Sequence, residues 1–222
     1  MQTEPESARL ARQPAELLQR LIRFDTTNPP GNEADCIAFV QSLLAEAGIT
    51  STLLTRTPGR PNLIARLPGR GEAPPLLMQG HVDVVTTAQQ QWQHPPFAGE
   101  ERDGLIWGRG ALDMKGGVAM MVAAMLRARF EESPLPGDVL LCLVSDEEAG
   151  GNDGARFLVE EHADLFTGVR YAIGEFGGFT LHLAGRRFYP VMVAEKQSCV
   201  VARRLAWANC CKPSTASGCP CM

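Results

Sequence analysis

Several carboxylates and one histidine lie where strands or glycine-rich loops of this chain are expected to end, and these are the residues that could do chemistry. His81 and Asp83 close an apolar run. Because residues i and i+2 of an extended segment point to the same side, both side chains can face one site. A carboxylate beside a metal-bound imidazole fixes the tautomer of the ring, and Asp83 is placed to act in this way on His81. Taken alone, the pair also fits a surface histidine with an acidic neighbour.

A further carboxylate, Asp113, lies in the glycine-rich segment 108–117, just before a long apolar stretch. Glycines permit tight backbone geometry, and the N-terminus of a helix favours negative charge nearby. Asp113 could therefore be a metal ligand, or it could simply cap the helix. The segment lacks the G-x-x-x-x-G-K-[ST] pattern, so a phosphate-binding loop is not indicated.

Three consecutive carboxylates, Asp146, Glu147 and Glu148, follow the apolar run 138–144. Like charges this close repel one another, so they need either a cation or full solvation. Neighbouring side chains point in different directions, so one of Glu147 and Glu148 could bind a metal while the other lies over a metal-bound water. A solvated acidic turn is the alternative. Glu175 closes another short apolar run, where it could equally be an ordinary loop residue.

Taken together, these four positions favour a metal site over unrelated surface charges. One imidazole with several carboxylates is a ligand set that suits Zn²⁺, Co²⁺ or Mn²⁺. Ser145 lacks the G-x-S-x-G pattern of a nucleophilic serine, so serine hydrolysis is not indicated. The remaining histidines are interpreted as loop-shaping, packed or exposed residues: His94, His162 and His182.

Alternating helical and extended patterns must position these residues. Apolar spacing predicts helices at 14–24, 33–47 (capped by Asn32 and ended by Gly48), 116–130 and 153–161. Short apolar runs predict strands at 49–55, 62–67, 76–82, 138–144 and 171–174, and a hairpin of 181–183 with 188–193 that turns at Gly185. A loop is predicted at residues 89–111. The alternation predicts an α/β fold with a mixed, mainly parallel sheet flanked by helices, whose ligands bind beyond the carboxyl ends of the strands.

Composition narrows the class of protein further. The chain has 222 residues and a net charge of −4, which excludes a chain-wide basic surface for nucleic acid. The longest uncharged apolar stretch, 116–126, is about half of the ~20 residues that span a bilayer. Residues 1–24 contain no apolar signal core. The first 198 residues hold only Cys36 and Cys142, as in an intracellular protein. We therefore expect a cytoplasmic protein with neither a nucleic-acid nor a membrane partner.

Four motifs resemble the co-catalytic zinc exopeptidase family, which includes aminoacylase, acetylornithine deacetylase, succinyl-diaminopimelate desuccinylase, glutamate carboxypeptidase and carnosine dipeptidase. The motifs are 80–85 (GHVDVV), 92–97 (WQHPPF), 103–117 (DGLIWGRGALDMKGG) and 145–151 (SDEEAGG). They occur in the family's order and at its spacing, and the resemblance covers about residues 14–196. It implies a catalytic domain of the zinc-exopeptidase type.

The resemblance also implies a set of metal ligands. His81 and Glu175 would bind the first of two Zn²⁺ ions, and Glu148 would bind the second. Asp113 would bridge the two ions, next to a cis peptide bond to Met114. Co²⁺ or Mn²⁺ could replace Zn²⁺ at such a site.

Two further residues have implied catalytic roles. Asp83 would steady the imidazole ring of His81, and Glu147 would be the general base that takes a proton from metal-activated water. The implied reaction is hydrolysis of an amide or peptide bond in a small-molecule substrate, either an N-acyl amino acid or a short peptide.

The chain departs from the family pattern toward its end. Family members are nearly twice as long, are often homodimers, and supply two further histidines that have no counterpart here. We therefore predict an incomplete catalytic domain at 1–195 and an aberrant cysteine-rich tail at 196–222 in place of the lid or dimerisation domain. A shifted reading frame or a truncation would explain the tail; a small zinc or disulfide module is the alternative. The alternative function is a catalytically inactive fragment that binds at most one metal or has a structural role.

Overall fold

The computed structural model describes residues 4–131, 135–175 and 180–188. The chain divides into two compact units, Met1–Glu175 and Phe176–Met222, which we describe separately. The domain boundary predicted at residue 195 lies outside the described residues.

The first unit contains helices on both sides of a sheet. Its α-helices are Glu6–Ala11 (α1), Pro14–Ile22 (α2), Ala34–Glu46 (α3), Lys115–Phe130 (α4) and Ala155–Glu161 (α5). Its strands are Ser51–Thr55 (β1), Pro61–Leu67 (β2), Leu76–His81 (β3), Glu100–Arg102 (β4), Leu105–Trp107 (β5), Val139–Val144 (β6) and Tyr171–Ile173 (β7). Short 3₁₀ turns cover Glu147–Ala149 and Ala163–Phe166.

Five of these strands form one mixed sheet in the order β1-β2-β6-β3-β7, and β4 pairs only with β5. The pairs β1–β2 and β2–β6 are antiparallel, whereas β6–β3 and β3–β7 are parallel. The predicted mixed sheet flanked by helices is therefore confirmed, with equal numbers of parallel and antiparallel pairs. The residues described include no helix long and apolar enough to cross a membrane.

Alternation along the central strands assigns side chains to the two faces of the sheet. Leu63 of β2 and Leu141 of β6 face the large core beneath α1–α4, and Ile64 and Cys142 face the small core beneath α5. Period-two alternation of this kind is what places successive residues on opposite faces. Fully burying a leucine contributes about 1.5–3 kcal/mol, so the two cores hold the strands in fixed register.

The carboxyl ends of three strands meet at one edge because β6, β3 and β7 run parallel. His81, the last residue of β3, lies in register with Val144, the last residue of β6. The segments that follow these strands therefore emerge side by side. Glu175 follows β7 by two residues. This edge carries the residues predicted to do chemistry.

Most predicted elements are confirmed, and the differences have local causes. Residues 89–111 contain the β4–β5 hairpin as well as loop, and α1 precedes the first predicted helix. Asn32 does not cap α3: Glu33 is the N-cap residue, and Asn32 donates instead to the carbonyl of Asp25 at 3.2 Å. Gly48 ends this helix with a φ of 70°, as predicted. The helix predicted at 116–130 is buried on most sides, but Met120 is 64 % exposed.

In the second unit, the described residues form a hairpin of Leu181–Leu183 (β8) with Arg186–Phe188 (β9). The turn at Gly185 has a φ of 73°, a conformation that favours glycine. The predicted turn is therefore confirmed, but the second strand begins at Arg186 rather than at Phe188. Residues 189–193 lie outside the described residues.

Candidate metal centre

His81 is the buried centre of the predicted site, with a side chain only 1 % exposed. Its Nδ1 lies 2.9 Å from the carbonyl oxygen of Asp83 and 3.3 Å from the carboxylate Oδ1 of the same residue. Both partners accept hydrogen bonds, so Nδ1 carries the proton and Nε2 points toward the other predicted residues. Burial alone would lower the pKa of His81, but the Asp83 carboxylate and the neighbouring glutamates raise it to about 9.

Asp83 is fully buried and accepts hydrogen bonds from two different loops. The backbone N–H groups of Glu147 and Glu148 donate to Oδ1 at 3.1 Å and Oδ2 at 3.0 Å. The side-chain amide of Asn28 donates to Oδ2 at 2.8 Å. Burial alone would raise the pKa of Asp83, but the hydrogen bonds from His81, Asn28 and the Glu148 backbone lower it. Asp83 thus stays ionised and links His81 by hydrogen bonds to the acidic loop that follows β6 (residues 145–148).

Asp113 lies just before α4, with a carboxylate oxygen 3.1 Å from His81 Nε2. Its peptide bond to Met114 is cis, so the expectation drawn from the resemblance is confirmed. Lys115 turns away into the protein, where its ammonium donates to the carbonyls of Leu21 at 3.1 Å and Phe24 at 2.7 Å. Lys115 therefore anchors the start of α4 to the end of α2 rather than facing a substrate.

The glutamates approach the same imidazole from two more chain segments. The nearest carboxylate oxygens of Glu147 and Glu175 lie 3.9 Å and 3.8 Å from His81 Nε2. Burial, a hydrogen bond to Asp113 and the other carboxylates raise the pKa of Glu175 to about 7. Burial and the Asp113 charge likewise raise the pKa of Glu148. Crowded carboxylates of this kind hold protons unless a cation offsets their mutual repulsion.

Two overlapping groups at this edge have the composition of a metal site. His81, Asp113 and Glu175 form one group, and His81, Glu147 and Glu148 form the other; the potential ligand atoms within each lie within 4.8 Å of one another. One imidazole with carboxylates fits Zn²⁺, Co²⁺ and Mn²⁺ by donor chemistry. The structure thus brings all the predicted site residues to one edge, with Asp83 beneath them.

Sequence reasoning missed two residues whose side chains hold the loop at Asp146, namely Asn28 and Arg60. Asn28 also donates to Asp146 Oδ1 at 3.1 Å, and Arg60 bonds the same oxygen at 3.1 Å. Arg60 further pairs with Glu33 at 2.6 Å and Asp153 at 3.3 Å. Asp146 has a φ of 71°, which turns its side chain away from the glutamates that follow. The only signal was the turn sequence 25–31, and nothing in it points to these distant partners.

The residues set aside as non-ligands have other partners in the structure. His94 packs on Trp107 and lies 3.3 Å from Glu100, and His162 packs edge-on against Phe157. The buried Ser145 donates its hydroxyl to the carbonyl of Pro61 at 2.8 Å. His182 lies on β8 in the second unit. His94, His162 and Ser145 thus make structural contacts in the part of the chain that the structure describes.

The fold and the acidic edge around His81 have counterparts among known proteins. The model of peptidase family M20/M25/M40 matches residues 77–193, more than half of the chain. The chain therefore belongs to this family of hydrolases.

Relatives and solved structures agree with this assignment. The chain is 40% identical over 148 residues to a succinyl-diaminopimelate desuccinylase of Paracoccus denitrificans, covering 66% of this chain and 38% of the relative. Human carnosine dipeptidase 1 superposes with a TM-score of 0.64 at 22% identity, covering 74% of this chain and 38% of that one. A Bacillus subtilis protein described as a dinuclear metal-binding M20 peptidase gives a TM-score of 0.54 at 20% identity, covering 75% of this chain and 43% of that one. The chain thus spans well under half the length of these proteins.

Proposed function

We propose that this chain carries the metal-binding and proton-transferring part of a hydrolase that cleaves an amide or peptide bond. The supporting observation is the convergence of His81, Asp113, Glu147, Glu148 and Glu175 on one edge of the sheet. These residues come from four separate segments, namely the end of β3, the segments that follow β6 and β7 and the one that precedes α4, and their crowded carboxylates need a cation. The similar desuccinylase and dipeptidase support an N-acyl amino acid or a small peptide as the substrate class.

Two divalent ions, in the first instance Zn²⁺, would be held by these side chains. We assign His81, Asp113 and Glu175 to one ion, and Asp113 together with Glu148 to the other. A bound divalent ion polarises a carbonyl and lowers the pKa of water toward neutrality. The raised pKa values of Glu148 and Glu175 are consistent with this assignment, since a bound cation would offset the carboxylate repulsion that contributes to both shifts.

Glu147 is the proposed general base. Its backbone N–H donates to Asp83 at 3.1 Å, and its half-exposed carboxylate lies 3.9 Å from His81 Nε2. In this position it takes a proton from the attacking water and returns the proton to the leaving amine. Asp83 acts on the reaction indirectly, since it holds both the His81 ring and the loop that carries Glu147.

A second candidate is a fragment that binds one metal without turnover. One observation favours it: His81 is the imidazole in both acidic groups among the described residues. A second ion held by carboxylates alone would bind more weakly than one held with an imidazole.

We further propose a cytoplasmic location and no nucleic-acid partner, with residues 1–195 as the catalytic segment and 196–222 as a separate tail. The support for the location is that Cys36 and Cys142 are buried free thiols. Sedimentation of the full chain tests whether it assembles into a homodimer.

Metal titration and hydrolysis of the full chain test the proposal. We expect the chain to bind Zn²⁺ in calorimetry, and His81→Ala to abolish binding of the first ion, whereas the control His94→Ala leaves it intact. Two ions with hydrolysis of N-succinyl amino acids or dipeptides would support the enzyme. One ion without hydrolysis would favour the fragment, and binding that survives His81→Ala would refute both.

A base variant tests the catalytic assignment separately. Glu147→Gln should lower the hydrolytic rate by about 10²–10⁴-fold, the usual contribution of general acid–base catalysis, while Zn²⁺ binding to the first site remains. An unchanged rate would exclude Glu147 as the base.

A further inference from the structure

Asn28 lies between two buried carboxylates that belong to different strand ends. Its side chain is 3 % exposed, and its amide nitrogen donates to Asp83 Oδ2 at 2.8 Å and to Asp146 Oδ1 at 3.1 Å. An asparagine amide has two N–H donors, and both are used here. The side chain therefore joins the segment after β3 to the acidic loop after β6.

The backbone fixes Asn28 independently of its side chain. Its N–H donates to the carbonyl of Val84 at 2.8 Å, and the N–H of Val84 donates to the carbonyl of Thr26 at 3.1 Å. The Thr26 hydroxyl donates to the carbonyl of Val82 at 2.6 Å. Residues 26–28 thus run as a short extension beside the segment that follows β3. Truncating the Asn28 side chain therefore leaves its backbone in place.

Each carboxylate that Asn28 holds acts on the glutamates of the proposed site. Asp83 accepts the backbone N–H groups of Glu147 and Glu148. Asp146 immediately precedes Glu147 with a left-handed φ of 71°, and its carboxylate is otherwise held by Arg60 and by the N–H of Asp153 at 3.1 Å. The direction in which the glutamates leave the loop thus depends on both carboxylates.

The hydrogen-bonding chemistry of the side-chain amide explains why an asparagine suits position 28. Two buried carboxylates facing each other repel, and a neutral group with two donors satisfies both without adding charge. A serine hydroxyl has one proton and could satisfy only one of them. Alanine would remove one hydrogen bond from each carboxylate and the link between them; Asp83 Oδ2 would keep only the Glu148 N–H, and Asp146 Oδ1 would keep only Arg60.

We propose that Asn28 is a positioning residue that locks Asp83 and Asp146 together and thereby aims Glu147 and Glu148 at the metal centre. The metal part of this inference rests on the proposed function. The positioning of Glu147 and Glu148 by Asn28 does not depend on the metal and can be measured in the metal-free protein.

Hydrogen exchange in the metal-free full chain tests the positioning. In Asn28→Ala, the amide protons of Glu147 and Glu148 should exchange about tenfold faster than in wild type, because their acceptor on Asp83 is no longer fixed. Amides of the central strand β6 should be unchanged. Unchanged exchange at both glutamates would overturn the inference.

Zn²⁺ titration of the same variant tests the consequence for metal binding. Removing an outer partner of a metal site typically costs 10–100-fold in affinity, and we expect about tenfold weaker binding for Asn28→Ala. Asn62→Ala is the matched control: Asn62 is also a buried asparagine, but it bonds Leu54, Ser145 and the carbonyl of Asp153 rather than either carboxylate.

The outcomes separate this inference from the proposed function. Weaker Zn²⁺ binding in Asn28→Ala, with affinity retained in Asn62→Ala, would support it. Equal weakening in both variants would overturn it, since any loosened loop would then suffice. Wild-type protein that binds no Zn²⁺ but shows the expected exchange would refute the proposed function and leave the positioning role of Asn28 supported.

Discussion

Replacing Asp83 with asparagine changes a buried carboxylate whose two oxygens have four polar partners between them. Oδ1 accepts from Glu147 and lies 3.3 Å from His81 Nδ1, and Oδ2 accepts from Glu148 and Asn28. An asparagine keeps the shape but turns one of these acceptors into a donor. Whichever way the new amide is oriented, two donors lose their acceptor and face an N–H group.

The magnitude of this change follows from the number of bonds lost. A hydrogen bond to a charged group contributes about 1.5–3 kcal/mol, so losing two should cost about 3–6 kcal/mol. Single domains have an unfolding free energy of about 5–15 kcal/mol, so the loss is a large fraction of the total. We expect Asp83→Asn to lower the free energy of unfolding of the metal-free protein by at least about 3 kcal/mol.

Urea unfolding at neutral pH measures this difference. Asp25→Asn is the control, because Asp25 is an exposed aspartate that also accepts two hydrogen bonds, both from Thr27. Exposed substitutions of this kind change stability by about 0.5 kcal/mol or less. A loss below about 1 kcal/mol in Asp83→Asn would refute the argument, since it would mean that the four contacts of the carboxylate contribute little.

The same variant has an expected pH signature. The pKa of Asp83 is lower in the folded protein than in the unfolded chain, so its stabilisation is present above about pH 4 and is lost as pH falls through the folded-state pKa. Asp83→Asn should lack this part of the acid dependence. An acid unfolding profile parallel to that of the wild type would contradict the assignment.

Three further predictions concern other parts of the chain. The pKa of His81 is raised to about 9 in the folded protein. Protonated His81 should therefore stabilise the metal-free protein fully below about pH 6.5, and this stabilisation should be lost as pH rises to about 9. NMR titration of the His81 ring measures the pKa directly. Leu141→Ala should destabilise by about 2–5 kcal/mol in urea because Leu141 is fully buried, whereas Leu112→Ala, at a side chain 92 % exposed, should cost about 0.5 kcal/mol or less. In Gly154→Ala the new Cβ would overlap the carbonyl of Ser145, so the melting temperature should fall by several degrees; an unchanged value would mean that the loop adapts freely.

The sequence predicted the sheet and the site well because both depend on local patterns. The apolar runs that became β3 and β6 have the length of buried strands, and an acidic residue lies two positions after the end of each strand. Since parallel strands bring their carboxyl ends to one edge, His81 and Glu148 could be expected near each other without knowledge of the fold in detail.

The features that the sequence did not predict depend on contacts that produce no periodic pattern of residue types. Asn28 meets partners 55 and 118 residues away through its side chain, and no spacing rule predicts such a pair. The hairpin of β4 and β5 has strands of only three residues, one of them the charged sequence Glu-Glu-Arg. Asn32 has the residue type of a helix cap, but its amide bonds Asp25 instead. The contacts of Asn28 are long-range, whereas the β4–β5 pairing and the Asn32–Asp25 bond are local, and none of them follows from residue propensity alone.

The position of β6 in the sheet has a consequence for biosynthesis. This strand joins the antiparallel pair β1–β2 to the parallel strands β3 and β7, yet it is synthesised after β1, β2 and β3. A nascent chain that ends before Val139 can form the β1–β2 hairpin, but it leaves unpaired the edges of β2 and β3 that β6 joins in the folded sheet. Until Val144 has emerged, the growing polypeptide exposes surfaces that invite aggregation and chaperone binding.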